Sequence, residues 1–257
     1  MTAVTRAYEL LIGTGNDGTN EHVDIALVNA AGDESNRQRP AEGDSRDNYE
    51  KGSIEIFDPV EFTLDGTPAQ IKVYFSGSKW RLGGLWLTDK TTGETWYALP
   101  DCVIGSGSGA SASPQTFDLQ QISGVSGPTS FDEFKVEITT ASGNDTGTDD
   151  QVFIKLFDRK ARANITQRPG ATDNILNPIN DWRSGSTQSA RIAATLTELG
   201  PISYILLCKY GSDSWHPSSV TVEGASLIPG TDARHFAISH PLTEDQNKWI
   251  FCRANEL

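Results

Sequence analysis

The chain has 257 residues, a formal net charge of −13 and six Trp, ten Phe and six Tyr. That length suits two domains of ordinary size, and the aromatic content supplies a core for each. An acidic surface repels phosphate backbones, which excludes nucleic acid as a partner, and it repels anionic lipid headgroups unless a cation bridges them; no run approaches the ~20 apolar residues of a membrane-spanning helix.

The N-terminus, "MTAVTRAYELLIGTG", lacks the charged start and long apolar core of a secretory signal. The expected location is cytoplasmic, or outside by a signal-independent route. Three cysteines, Cys102, Cys208 and Cys252, are too few and too odd in number for a disulfide framework. With no Cys-x-x-Cys, a structural zinc site has no support.

Taken in chain order, strand-like runs dominate. They are "YELLIG" (8–13), "VDIALV" (23–28), "IKVYF" (71–75) and "LWLTD" (85–89), then "FKVEITT" (134–140), "VFIKLF" (152–157), "SYILLCKY" (203–210) and "SVTVEG" (219–224). All are rich in β-branched or aromatic residues, and Gly, Pro, Asn and Asp separate them. Only "SARIAATLTELG" (189–200) has a helical look. The segment "GSGSGASASP" (105–114) has the composition of a flexible linker. The expected division is therefore a β-sandwich over 1–105, a linker over 106–129 and a β-sandwich over 130–257.

The two halves repeat one set of landmarks in one order. Gly18-Thr19 matches Gly147-Thr148. "DNYEKGS" (47–53) matches "NDWRSGS" (180–186), "GSKW" (77–80) matches "GSDSW" (211–215), and "ETWYALPDC" (94–102) matches "NKWIFC" (247–252). Such ordered matches of unlike composition indicate a duplication.

These landmarks resemble the PLAT domain, the lipoxygenase-homology sandwich. Its pattern runs from an Ala-Gly-Thr-Asp turn into Val-x-Ile-x-Leu, then Phe-x-x-Gly-Ser, Ser-x-Trp and a last strand with an aromatic near a Cys. Copy two reads "TGTDDQVFIKLF", "WRSGS", "SDSW" and "WIFC". Copy one reads "DGTNEHVDIALV", "YEKGS", "GSKW" and "TWYALPDC". The resemblance implies two consecutive eight-stranded antiparallel β-sandwiches, all-β, joined by the Gly/Ser linker. It also implies a non-catalytic module that docks on membranes or partner proteins, often with calcium. Copy one departs at Asn20, where the family favours Asp, and copy two at Arg183 and Ser184.

Calcium is a hard cation that takes six to eight oxygens at ~2.3–2.6 Å. The positions matching the family's ligand loops are Thr148, Asp149, Asn180, Asp181 and Asp213 in copy two, and Thr19, Asn20, Asp47, Asn48 and Glu50 in copy one. The competing reading is turn chemistry, because Asn and Asp side chains hydrogen-bond local backbone. Trp80, Trp182 and Trp215 lie near the same tips and are candidates for contact with a membrane or other ligand. The alternative is that each plugs the end of its own sandwich. Trp86 and Trp96 follow strand alternation and read as core.

Catalytic constellations are weak, and no catalytic residue is assigned. "GTGNDG" (13–18) fits a dinucleotide fingerprint, but the strand "HVDIALV" follows it where a helix is required. His235 and His240 are five apart with no helix to align them as a metal pair. The leading expectation is a non-catalytic tandem docking module for lipid headgroups or a partner protein, with calcium as the expected cofactor at the loop tips. A cell-targeting toxin or defence component, and a lectin-like glycan binder, stand as alternatives.

Overall fold

The computed structural model describes residues 2–41, 48–122, 133–158, 182–193, 201–225, 232–243 and 248–254. Its contacts divide the chain into two compact units, Met1–Gln121 and Ile122–Leu257. Among the described residues there are strands and turns and no helix.

The first unit contains β1 (Val4–Thr14), β2 (Val23–Asn29), β3 (Ile54–Leu64), β4 (Pro68–Phe75), β5 (Trp80–Asp89), β6 (Thr95–Ala98), β7 (Cys102–Ile104), β8 (Gln115–Asp118) and β9 (Gln120–Gln121). One sheet has the order β3-β1-β5-β6-β9, with β7 also on β5, and the other has the order β2-β4-β8. All pairings are antiparallel. Strand alternation builds the core. Val23, Ile25 and Leu27 of β2 and Ile71, Val73 and Phe75 of β4 meet Tyr8, Leu10 and Ile12 of β1 in one buried cluster. Two sheets sharing one apolar interior make a sandwich.

The second unit contains β10 (Glu133–Thr140), β11 (Gln151–Asp158), β12 (Thr187–Ala193), β13 (Ile202–Tyr210), β14 (Pro217–Ala225), β15 (Asp232–Ala237) and β16 (Trp249–Arg253). Its sheets run β12-β10-β14-β15 and β11-β13-β16. Strand β10 shows the physical logic most plainly. Phe134, Val136 and Ile138 are buried, while Glu133, Lys135 and Glu137 between them are half-exposed. Lys135 Nζ reaches Glu137 at 2.8 Å along that outer face.

The two units share a strand order. In each, the third strand pairs the first, the first pairs the fifth and the fifth pairs the sixth, while the second pairs the fourth. Among the described residues, the first unit carries nine strands and the second seven.

Two expectations change. Residues 115–121 are not linker: Gln115–Asp118 pairs with β4 and Gln120–Gln121 with β6. Phe117 and Leu119 pack against the first core, and that apolar contact outweighs the polar composition around them. The helical look of 189–200 yields where it can be followed, and residues 194–200 lie outside the described residues. Residues up to Ala193 form β12, whose full register with β10 satisfies the backbone.

Candidate functional site: the loop corner

Three segments meet at one corner of the second unit: the β10–β11 loop, the stretch before β12 and the β13–β14 loop. Thr148 and Trp182 exchange backbone hydrogen bonds, Thr148 N donating to Trp182 O at 3.1 Å and Trp182 N to Thr148 O at 2.9 Å. Thr140 N donates to Ser186 O at 2.9 Å, and His216 N to Thr146 O at 3.0 Å. Gly147 permits this approach, because a Cβ there would fall 2.6 Å from Trp182 O. Ser184 braces the loop, its hydroxyl donating to Gly143 O at 2.7 Å.

The first unit repeats this network. Thr19 N donates to Tyr49 O at 3.0 Å, Thr14 N to Ser53 O at 2.8 Å, and Arg81 N to Asp17 O at 2.9 Å. The aromatic pair is conserved in geometry too. The Tyr49 and Trp80 rings are 5.4 Å apart, and those of Trp182 and Trp215 are 5.2 Å apart.

The tip tryptophans are therefore not contact residues. Trp80, Trp182 and Trp215 are 0%, 1% and 0% exposed and belong to the cores. Their rings plug the ends of the sandwiches. The indole N–H groups of Trp80 and Trp215 are used by the buried hydroxyls of Thr14 and Thr140. A ring buried in the core has no face to offer a lipid or a sugar.

Of the expected cation ligands in the second unit, the structure brings together Asp149 and Asp213 and adds Asp150. Carboxylate oxygens of all three lie within 4.8 Å of one another. Thr148 is buried, and its hydroxyl accepts from Asp150 N at 3.1 Å, which makes it a turn brace. Asn180 and Asp181 lie outside the described residues, as does Asp47 of the first unit.

Asp150 anchors the cluster. Its Oδ2 receives the Lys209 ammonium at 2.6 Å and Asp213 N at 3.1 Å. Lys209's side chain is fully buried, so a buried cation holds one carboxylate fixed beneath the exposed Asp149 and Asp213. Gly211 completes the arrangement. Its φ of +127° belongs to glycine, and a Cβ there would sit on the Asp150 carboxylate. The Asp213 carboxyl is pushed up from its ordinary pKa, first by its hydrogen bond with Asp149 and then by the charge of Asp150. Crowded carboxylates favour a proton or a cation among them. An all-oxygen set of this kind suits a hard divalent ion.

The sequence reading missed Asp150 and Lys209. The doublet "TDD" was a signal for the first. Lys209 reads as one residue of a strand until the pairing shows it buried beside Asp150.

In the first unit the expected ligands do not converge. Asn20 and Glu50 are exposed, Asn48 is buried, and the Thr19 hydroxyl accepts from Glu21 N at 3.1 Å. Asp17 is bound by the Lys79 ammonium at 2.6 Å. Among the described residues, no group of three carboxylates, histidines or cysteines forms in this unit.

Residues 134–251 match the family model of the PLAT/LH2 domain. That match spans just under half of the chain. The match lies within the second unit and includes all three clustered carboxylates. Some solved structures are similar over part of the chain. A LOX with the Delta413-417:GS change is 18% identical at a TM-score of 0.38, covering 48% of this chain and 16% of its own. The same LOX in complex with arachidonate matches with the same identity, coverage and TM-score. Coral 8R-lipoxygenase, described as having calcium activation via a C2-like domain, is 20% identical at a TM-score of 0.38, over 48% of this chain and 17% of its own. The chain thus spans under a fifth of the length of those structures. A comparison with curated proteins finds no match.

Proposed function

We propose that this chain is a non-catalytic docking module, and that the PLAT/LH2 domain engages lipid headgroups through a calcium ion held at its loop corner. Asp149 and Asp213 would be the exposed ligands, and Asp150, fixed by Lys209, the anchored one. The observation that carries this reading is the convergence of three carboxylates within 4.8 Å. Backbone carbonyls and water would complete six to eight oxygens.

The chemistry also addresses the charge. A chain of net −13 is repelled by anionic headgroups. A divalent ion seated between Asp149 and Asp213 inverts the sign at that one spot and leaves coordination positions for phosphate oxygens. Docking would rest on this bridge rather than on inserted aromatics, because the tip tryptophans are buried. The first unit repeats the strand order and the corner hydrogen bonds, which supports a tandem of two such sandwiches.

Co-sedimentation with phosphatidylserine vesicles tests the reading. Binding should require calcium, reverse on chelation and vanish in Asp149→Asn with Asp213→Asn. Calcium-independent sedimentation would overturn the bridge. Calcium binding without sedimentation would redirect the search to a protein partner.

A further inference from the structure

We infer that the loop corner of the first unit is closed to divalent cations by its own lysine, so that the chain carries one cation site where the duplication would supply two. This rests on the cation reading of the second corner.

The equivalence of the two corners can be set residue by residue. Gly77 and Gly211 hold the same place, since a Cβ on Gly77 would meet Glu21 Cγ at 2.7 Å and one on Gly211 would meet the Asp150 carboxylate. Glu21 is therefore the counterpart of Asp150. Counting back from there, Asn20 stands at the place of Asp149. Counting forward from Gly77, Lys79 stands at the place of Asp213.

Each replacement weakens cation binding by a separate route. Asn20 offers a neutral amide oxygen where the second unit offers a carboxylate, and it is exposed. Lys79 brings a positive charge to the loop that would have to contribute a negative one. Its ammonium sits 2.6 Å from Asp17, the carboxylate on the neighbouring loop. A divalent ion entering there would have to displace that ammonium and accept a like charge close by. Phe75 takes the place of Lys209, two residues before the glycine, so Glu21 also lacks the buried cation that fixes Asp150. The charged partner has moved from beneath the corner to its rim.

Only the second corner would then respond to calcium, and the first would present the same backbone with a resident ammonium. The module would dock with a single switchable contact.

Calorimetric titration of calcium into the chelator-stripped full chain tests this. The expected stoichiometry is one ion per chain, lost in Asp149→Asn with Asp213→Asn. In that double variant, Asn20→Asp with Lys79→Asp should restore one ion. Two ions on the unmodified chain, one of which persists in the double variant, would overturn the inference while leaving the docking reading intact; a single ion that persists in the double variant would overturn both. No binding to the unmodified chain would overturn both. Failure of the restoring pair to regain an ion, in a protein with an unchanged circular dichroism spectrum, would remove Lys79 as the cause.

Discussion

The indole N–H of Trp215 donates to the hydroxyl of Thr140 at 3.2 Å, across 75 residues of chain. Trp80 makes the same bond to Thr14, also at 3.2 Å. Each bond ties the end of a first strand to the start of a fifth and seats the tryptophan under its loop corner. Thr140→Val keeps the shape and strands a buried donor, which costs about 1–3 kcal/mol. Thermal unfolding should show a fall in Tm of several degrees, and Thr14→Val should do the same. An unchanged Tm in both would mean that the indole N–H groups find other acceptors.

Lys209 and Asp150 predict a larger effect. Removing one partner of a buried pair leaves the other charge uncompensated, at about 3–5 kcal/mol. Asp150 keeps some exposure, so Lys209→Met should fall at the low end, about 3 kcal/mol by urea unfolding. It should also loosen Asp150 and weaken calcium binding without touching an exposed ligand.

Gly211→Ala should be severe for two independent reasons. Its φ of +127° excludes an ordinary side chain, and the new methyl would occupy the Asp150 carboxylate. Poor expression, or loss of the calcium response in whatever folds, is the expected result. Full stability and full calcium binding would show that the loop rearranges freely.

Lys155 gives a pH dependence with a definite sign. It is fully buried, and desolvation holds its ammonium down at a pKa of about 7. In the unfolded chain a lysine titrates near ~10.4. Between these values the unfolded state binds more protons, so stability rises with pH across that window. The penalty for charging Lys155 is complete below pH ~7 and relieved by pH ~10, on the order of 4 kcal/mol. Lys155→Met should flatten the profile relative to the unmodified chain, measured by urea unfolding at pH 6 to 10. Parallel profiles for the two proteins would refute this.

Calcium should stabilise the chain in proportion to occupancy. At a hundredfold excess over Kd the gain is about 2.7 kcal/mol. A rise in Tm that is abolished by Asp149→Asn with Asp213→Asn, and spared by changes at Asp17, would place the ion in the second corner. A rise that survives the double variant would place it elsewhere.

Much of the architecture is written locally. The alternation of Val23, Ile25 and Leu27, and of Phe134, Val136 and Ile138, names both strand and inward face without reference to any partner. The paired "GSKW" and "GSDSW" landmarks keep one order in the two halves. Shorter or polar strands escaped. β8 and β9 read as linker because their pairing with β4 and β6 is decided by residues about 20 or more positions away. The end of β12 has a helical look in sequence, which its register with β10 outweighs.

The candidate site divides along the same line. Residue type and order, read from the sequence, put acidic side chains on the loops and tryptophans beside them. Direction and depth came only from the tertiary structure. It turned Trp80, Trp182 and Trp215 inward, because closing a sandwich end with a ring buries far more apolar surface than leaving that ring in water. It placed Lys209 under Asp150 and Lys79 against Asp17, because charges on separate loops meet only when distant strands fix the loop ends. Local propensity travels with the chain, but the distance between two charges belongs to the fold.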